Sequence, residues 1–192
     1  MELLIREYRP SDAAATMRVF RRAVLGTASH DYDAVQTRVW ADRIGSPAEW
    51  NAHRMAAHTW VAVPAGHGHV HDAVRPVGPA ADRESCDASY DSVSSGVRGS
   101  AAAGEPVGFI DVDDDGYIDM LFVDPSYGRR GVASRLLSQV ERFAADRGIV
   151  GLHVHASVTA RPFFARHGFR MVEERHPMIG DVTFVNYLMV HP

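Results

Sequence analysis

Apolar residues recur along this chain with two periods, and one long stretch follows neither. Leu3 to Tyr8 reads as a short first strand, punctuated by Pro10. Pro10-Ser11-Asp12 before three alanines is a helix entry with Ser11 as N-cap. Met17, Phe20, Val24 and Leu25 then return at helical spacing until Gly26. A second helical stretch covers residues 32–43, with Val35, Val39 and Trp40 on one face, and Pro47 opens a third that carries Trp50. Thr59 to Val63 is a strand by its β-branched content, closed by Pro64.

Residues 65–105 break both periods. Glycine, proline, serine and alanine dominate, and the bulky apolar residues are scattered. Such a stretch buries too little apolar area to offset its ordering entropy, so it is expected to be a mobile surface insertion within one domain.

Periodicity returns at Pro106. Val107 to Asp113 and Tyr117 to Val123 read as two strands of a hairpin, turning at Asp113-Asp114-Asp115-Gly116. A helix is predicted over 130–147, with Val132, Leu136, Leu137, Val140, Phe143 and Ala144 inward and Gly148 as its cap. A strand over 149–154, a short helix over 162–167 and strands over 169–174 and 181–190 complete the pattern. The elements make one mixed α/β domain over residues 1–192. Its sheet is twisted and mostly antiparallel, with helices on both faces and one parallel pair formed by the crossover through helix 130–147.

Composition narrows the function. A hydrophobic share of 46% and a charged share of 23% fit a soluble globular domain. The single cysteine, Cys86, excludes a disulfide framework, and no apolar run reaches the ~20 residues of a membrane span. The charged first ten residues do not read as a secretory signal, so a cytoplasmic protein is expected. The net charge of −4 argues against a general nucleic-acid binder. All 20 basic side chains are arginine, which removes every lysine-based mechanism.

The segment Leu121-Phe122-Val123-Asp124-Pro125-Ser126-Tyr127-Gly128-Arg129-Arg130-Gly131-Val132-Ala133 carries the most chemistry. A hydrophobic strand ends at a proline, and a Gly/Arg turn feeds an amphipathic helix. Unpaired N–H groups and the helix dipole converge there, which suits a pyrophosphate. Gly131 and Ala133 lack bulk, and Arg129 and Arg130 reach around the spot. The spacing alone fits equally an ordinary strand-turn-helix with two solvated arginines. It is neither a dinucleotide fingerprint nor a Walker loop.

The stretch Gly128-Arg129-Arg130-Gly131-Val132-Ala133 resembles motif A of the GNAT-type N-acetyltransferases, R/Q-x-x-G-x-G/A. Val123-Asp124-Pro125, Leu136-Leu137 and the junction Arg166-His167-Gly168-Phe169 also resemble that family. His155 to Phe169 looks most like its YafP-like branch. The resemblance is weak over residues 1–63 and good over 106–192. It implies acetyl transfer from acetyl-CoA, as co-substrate and without a metal, to a primary amine of a small molecule or peptide, by a monomer or homodimer with no nucleic-acid or membrane partner. It implies two splayed parallel strands with pantetheine in the wedge. Leu121, Phe122, Val123, Gly128, Arg129, Arg130, Gly131, Val132, Ala133, Ser134, Ser157 and Phe164 are then cofactor contacts.

Two departures stand out. Gly128 replaces the motif's usual Gln or Arg. Phe164 stands where many members place a proton-donating tyrosine, which leaves Tyr187 or Tyr127 as candidate acids. Asp119 and His155 are the candidate bases. Asp119 lies on the strand entering motif A, and His155 has a histidine's near-neutral pKa at the end of its strand. His153 shares the face of His155, and the alternative is two partly exposed polar positions. These departures also suit a non-catalytic acyl-CoA-binding module. The run His67-Gly68-His69-Val70-His71 could meet a metal, but nothing in its surroundings fixes ligand geometry.

Overall fold

Two four-stranded sheets, joined through one broken strand, form the centre of the computed structural model, which describes residues 2–65 and 104–192. The N-terminal elements are β1 (Leu3–Glu7), α1 (Ala13–Arg22), α2 (Ala34–Asp42), α3 (Pro47–Ala56) and β2 (His58–Pro64). Then come β3 (Gly108–Val112), β4 (Tyr117–Ile118), β5 (Leu121–Val123) and α4 (Val132–Arg147). The C-terminal part holds β6 (Leu152–Ser157), α5 (Arg161–Arg166), β7 (Arg170–Arg175), β8 (Met178–Ile179), β9 (Val182–Thr183) and β10 (Asn186–His191). The His67–His71 run, Cys86 and most of the expected insertion lie outside the described residues.

One sheet runs β1-β2-β3-β5, antiparallel throughout. The other runs β4-β6-β10-β7, and β4 with β6 is its parallel pair. This is the expected mixed fold with one crossover. The expected second hairpin strand is in fact split. Asp119 and Met120 interrupt it, because the Met120 N–H turns to the Asp111 carboxylate at 2.9 Å while Met120 O accepts from the Asp111 N–H at 3.1 Å. The strand thereby steps from one sheet to the other. Beyond Ile118 and Val154 the parallel ladder ends and the two strands part.

Helices cover both faces. Beneath α4, the side chains of Val132, Leu136, Leu137, Val140 and Ala144 are buried with Ile110, Ile118, Val154, Phe164 and Met189. Each large apolar side chain so buried contributes roughly 1.5–3 kcal/mol. Gly148 closes α4 in the left-handed conformation, φ 67°. On the other face, α1, the turn that continues it and α3 bury Phe20, Val24 and Trp50 against Val61, Val63 and Phe109. Among the described residues, no helix is long and apolar enough to cross a membrane.

Several local expectations fail for identifiable reasons. Ser11 is not the cap of α1. It lies in a 3-10 turn, Pro10–Asp12, and the Asp12 carboxylate instead accepts from the Arg9 N–H and from the two terminal guanidinium nitrogens of Arg6. The helical path does not stop at Gly26 but continues as a π turn, Ala23–Thr27, leaving Leu25 exposed. On α2, Thr37 and Ala41 face inward and Val35 is exposed. The strand expected over 149–154 begins only at Leu152, because the Ile149 N–H completes the cap of α4 on Ala144 O. The strand expected over 181–190 is two, β9 and β10.

Candidate active site

Backbone alone builds the first half of the site. The Asp124 N–H donates to Val107 O at 2.8 Å, and Phe122 faces Phe109 two residues earlier in the ladder. In an antiparallel pair, hydrogen-bonded positions alternate, so the N–H and C=O groups of Leu121 and Val123 point away from β3. They face the wedge that opens toward β6. Among the described residues, β3 is the sole ladder partner of β5.

The end of β5 is pinned. The Asp124 carboxylate caps the turn Pro125–Tyr127 by accepting the Ser126 N–H at 2.9 Å, and Arg22 pairs with it at 3.0 Å. Burial opposes ionisation of Asp124, but the bonds from Ser126 and Arg22 outweigh it and hold the carboxyl below its ordinary value. The chain then turns through Arg129 (φ 58°) and Gly131 (φ 76°), both left-handed, into the first turn of α4. A Cβ at Gly131 would meet nothing within 4 Å. Glycine is therefore demanded here by the backbone angle, and the space before it is open. This concave run of amides at a helix N-terminus suits a phosphate.

Motif side chains divide by exposure. Arg129 and Arg130 are exposed, and the Arg130 guanidinium lies 5.5 Å from the Tyr127 ring centre. Val132 is buried, so only its backbone faces the turn. Ser134 donates to Nε2 of His167 at 3.1 Å, while His167 Nδ1 donates to Phe163 O at 2.9 Å. The Gly-Phe junction is thus tied to the first turn of α4 through one imidazole.

The second half is a cavity of about 640 Å³ on the α1–α3 side of the sheets, lined among others by Asp119, His155, Ser157 and Tyr117. Strand alternation sends Leu152, Val154 and Ala156 into the α4 core, and His153 and His155 to the opposite face. Both ring nitrogens of His155 are engaged. Nδ1 meets the Tyr117 hydroxyl at 3.2 Å, and Nε2 accepts from the Arg175 guanidinium. A neutral ring accepting at Nε2 carries its proton on Nδ1 and donates it to Tyr117. Burial first, then Arg175 and His153, lowers the His155 pKa, with Asp119 and Glu173 pulling the other way. Tyr117 is pushed up to about 12 by burial and then by the nearby carboxylates Asp119 and Asp111.

Asp119 sits at the break between β4 and β5 with half its side chain exposed. Beneath it Arg54 is buried, 3.1 Å from Asp111 and 3.6 Å from Asp119. Burial pushes Asp111 up to about 7 against the pull of Arg54. Arg54 also lies over the Trp50 ring, 4.8 Å from its centre.

The structure thus brings Asp119, His155 and Ser157 to one cavity, and separates two other candidates from it. Tyr187 pairs with Ala156 and turns into the α4 core, under the Arg161 guanidinium, so it does not share the face of Asp119. Phe164 is only 1% exposed and packs on Phe163 and Phe169, so it offers no surface for a cofactor contact. Sequence reasoning missed Tyr117, Arg54 and Arg175. Tyr117 had a signal, since it stands two residues before Asp119 and alternation puts both on one face. Arg54 and Arg175 come from α3 and β7, and nothing local marks them.

Residues 82–190 match the family model described as an acetyltransferase (GNAT) domain. The uncharacterized N-acetyltransferase YafP of Escherichia coli is 32% identical over 185 residues, 96% of this chain and 93% of the relative. A GCN5-related N-acetyltransferase from Rhodopseudomonas palustris, whose crystal structure is described as "Aminotransferase, Class-II", superposes with a TM-score of 0.75 at 25% identity, covering 100% of this chain and 96% of that one. The PaiA N-acetyltransferase of Thermoplasma acidophilum, solved with coenzyme A, shares the fold at 14% identity and a TM-score of 0.66, covering 100% and 99%. The chain belongs to the GNAT family of N-acetyltransferases.

Proposed function

We propose that this acetyltransferase moves the acetyl group of acetyl-CoA directly onto a primary amine of a small molecule or peptide. The observation that carries the reading is the break at Asp119–Met120. It leaves outward N–H and C=O groups on Leu121 and Val123, with the α4 N-terminus at one end and an open carboxylate at the other. The turn Gly128–Ala133 and Ser134 would hold the pyrophosphate. Leu121 and Val123 would pair with the pantetheine amides as an added strand does, with the side chains of Phe122 and Ser157 flanking the thioester end.

The chemistry follows from that arrangement. The amine enters through the cavity and meets the thioester carbon from the side opposite α4. Holding both reactants there supplies much of the acceleration. A strand N–H near Leu121 stabilises the developing oxyanion. The C–N bond forms, the C–S bond breaks, and the amine proton passes to Asp119. His155 has no ring nitrogen to spare, so it orients Tyr117 instead of acting as the base. With Tyr187 turned away, Phe164 lacking a hydroxyl, and Tyr127 in the turn before α4 against Arg130, at the pyrophosphate end, water protonates the CoA thiolate.

Thiol release from acetyl-CoA, measured with a panel of amines, tests the reading. Amine-dependent CoA release with an equal amount of N-acetylated product is expected. Tight CoA binding without turnover on any amine would favour a binding module instead.

A further inference from the structure

The cavity at Asp119 has walls that select among amines, and the inference drawn from them rests on the acetyl transfer proposed above. Its side away from the wedge is aromatic. Trp40 stands between Tyr32, Phe122 and Phe184, with ring centres 5.6, 6.2 and 6.3 Å away, all edge-on. Trp40, Ile44, Met120 and Phe122 are only partly buried, and all four line the cavity. Apolar surface left uncovered inside a concave site marks where a ligand's apolar body sits.

Much of the charge in the cavity is committed. Two carboxylates line it, Glu49 and Asp119. Glu49 is turned onto its own helix start, where it accepts from the Ser46 N–H and hydroxyl at 2.9 and 2.7 Å. Those bonds hold its pKa below the ordinary value. The buried cation Arg54 pairs with Asp111 below it at 3.1 Å and more loosely with Asp119 at 3.6 Å. Asp119, half exposed and only loosely paired with Arg54, is the carboxylate that an incoming ammonium reaches, while Arg43 on the wall repels a second cation.

We infer that the acceptor is a monoamine on an aromatic or branched apolar body, with its nitrogen at Asp119 and its body against Trp40. A polyamine would bring charges that the walls do not match. An amino sugar would lay hydroxyls on the aromatic wall around Trp40, at a loss of affinity.

The test compares phenethylamine, isoamylamine, spermidine and glucosamine as acceptors for the wild-type protein. Phenethylamine and isoamylamine should exceed the other two in kcat/KM by roughly tenfold or more. Trp40→Ala should raise KM for phenethylamine by about the same factor while KM for acetyl-CoA stays put. Trp40→Phe, which keeps a ring, should retain most of the preference. Spermidine or glucosamine as the best acceptor would overturn the inference and leave amine acetylation standing. A preference that survives Trp40→Ala undiminished would also overturn it. Turnover with none of the four would count against the transfer reaction itself.

Discussion

The two halves of the candidate site are built by opposite means. The wedge half is main chain: outward amides on β5, a left-handed turn at Arg129 and Gly131, and a helix N-terminus, all within residues 121–134. The cavity half is side chain, assembled from α1, α2, α3, the β4–β5 break, β6 and the β8–β9 hairpin. A backbone cradle tolerates side-chain change, so the cradle proposed here accommodates Gly128 where a motif side chain is usual. A side-chain cavity has no such tolerance, and single substitutions should change its chemistry or its choice of partner.

That contrast is sharpest at Asp119. Asp119→Asn should lower kcat by ~10²-fold or more, the usual contribution of a general base. KM for acetyl-CoA should stay nearly constant, because a base makes no CoA contact. Steady-state kinetics with both substrates varied checks this, and an unaffected kcat would remove Asp119 from the role. Next in size is Gly131→Val. A β-branched residue is strained at φ 76°, and the open space before Gly131 closes. Affinity for CoA should fall about tenfold, or ~1.4 kcal/mol, by calorimetry. An unchanged affinity would show that the turn does not hold the pyrophosphate.

His155 should separate positioning from proton removal. His155→Gln should lower kcat only severalfold, far less than Asp119→Asn. It should also alter stability at acid pH. The folded pKa of His155 lies below the ordinary 6.5, so the unfolded chain binds the proton more readily. The stability tied to the neutral ring is complete above about 6.5 and is lost as pH falls through the folded value. Denaturant melts between pH 5 and 7 should therefore show a smaller acid-side loss in His155→Gln than in the wild type. An equal loss would mean that the ring is not held neutral.

The smallest effect is expected from replacing the segment between residues 65 and 104. Gly104 packs against Pro64, so closely that a Cβ at this position would lie 3.0 Å from the Pro64 carbonyl oxygen, and the Val107 N–H bonds Ala62 O. The ladder of β2 and β3 therefore brings residues 65 and 104 close together. We propose that residues 66–103 are dispensable for folding, and that a short Gly/Ser linker in their place shifts the melting temperature by a few degrees at most. Loss of cooperative unfolding would refute this.

Sequence determined what is local. The α4 stripe, its Gly148 cap, the strand-turn-helix of 121–134 and the alternation of His153 and His155 all depend on contacts within a few residues, and each was legible. Element boundaries slipped where a distant group intervened: Arg6 claimed Asp12, and the Asp111 carboxylate claimed the Met120 amide and split a strand. Only tertiary structure could decide which face each candidate serves. Tyr187 and His155 sit on neighbouring strands, and a single position of pleat sends one into the core and the other into the cavity. Arg54, Arg175 and Trp40 reach the site from remote elements, and their roles depend on burial and charge that exist only once the sheets and helices have packed.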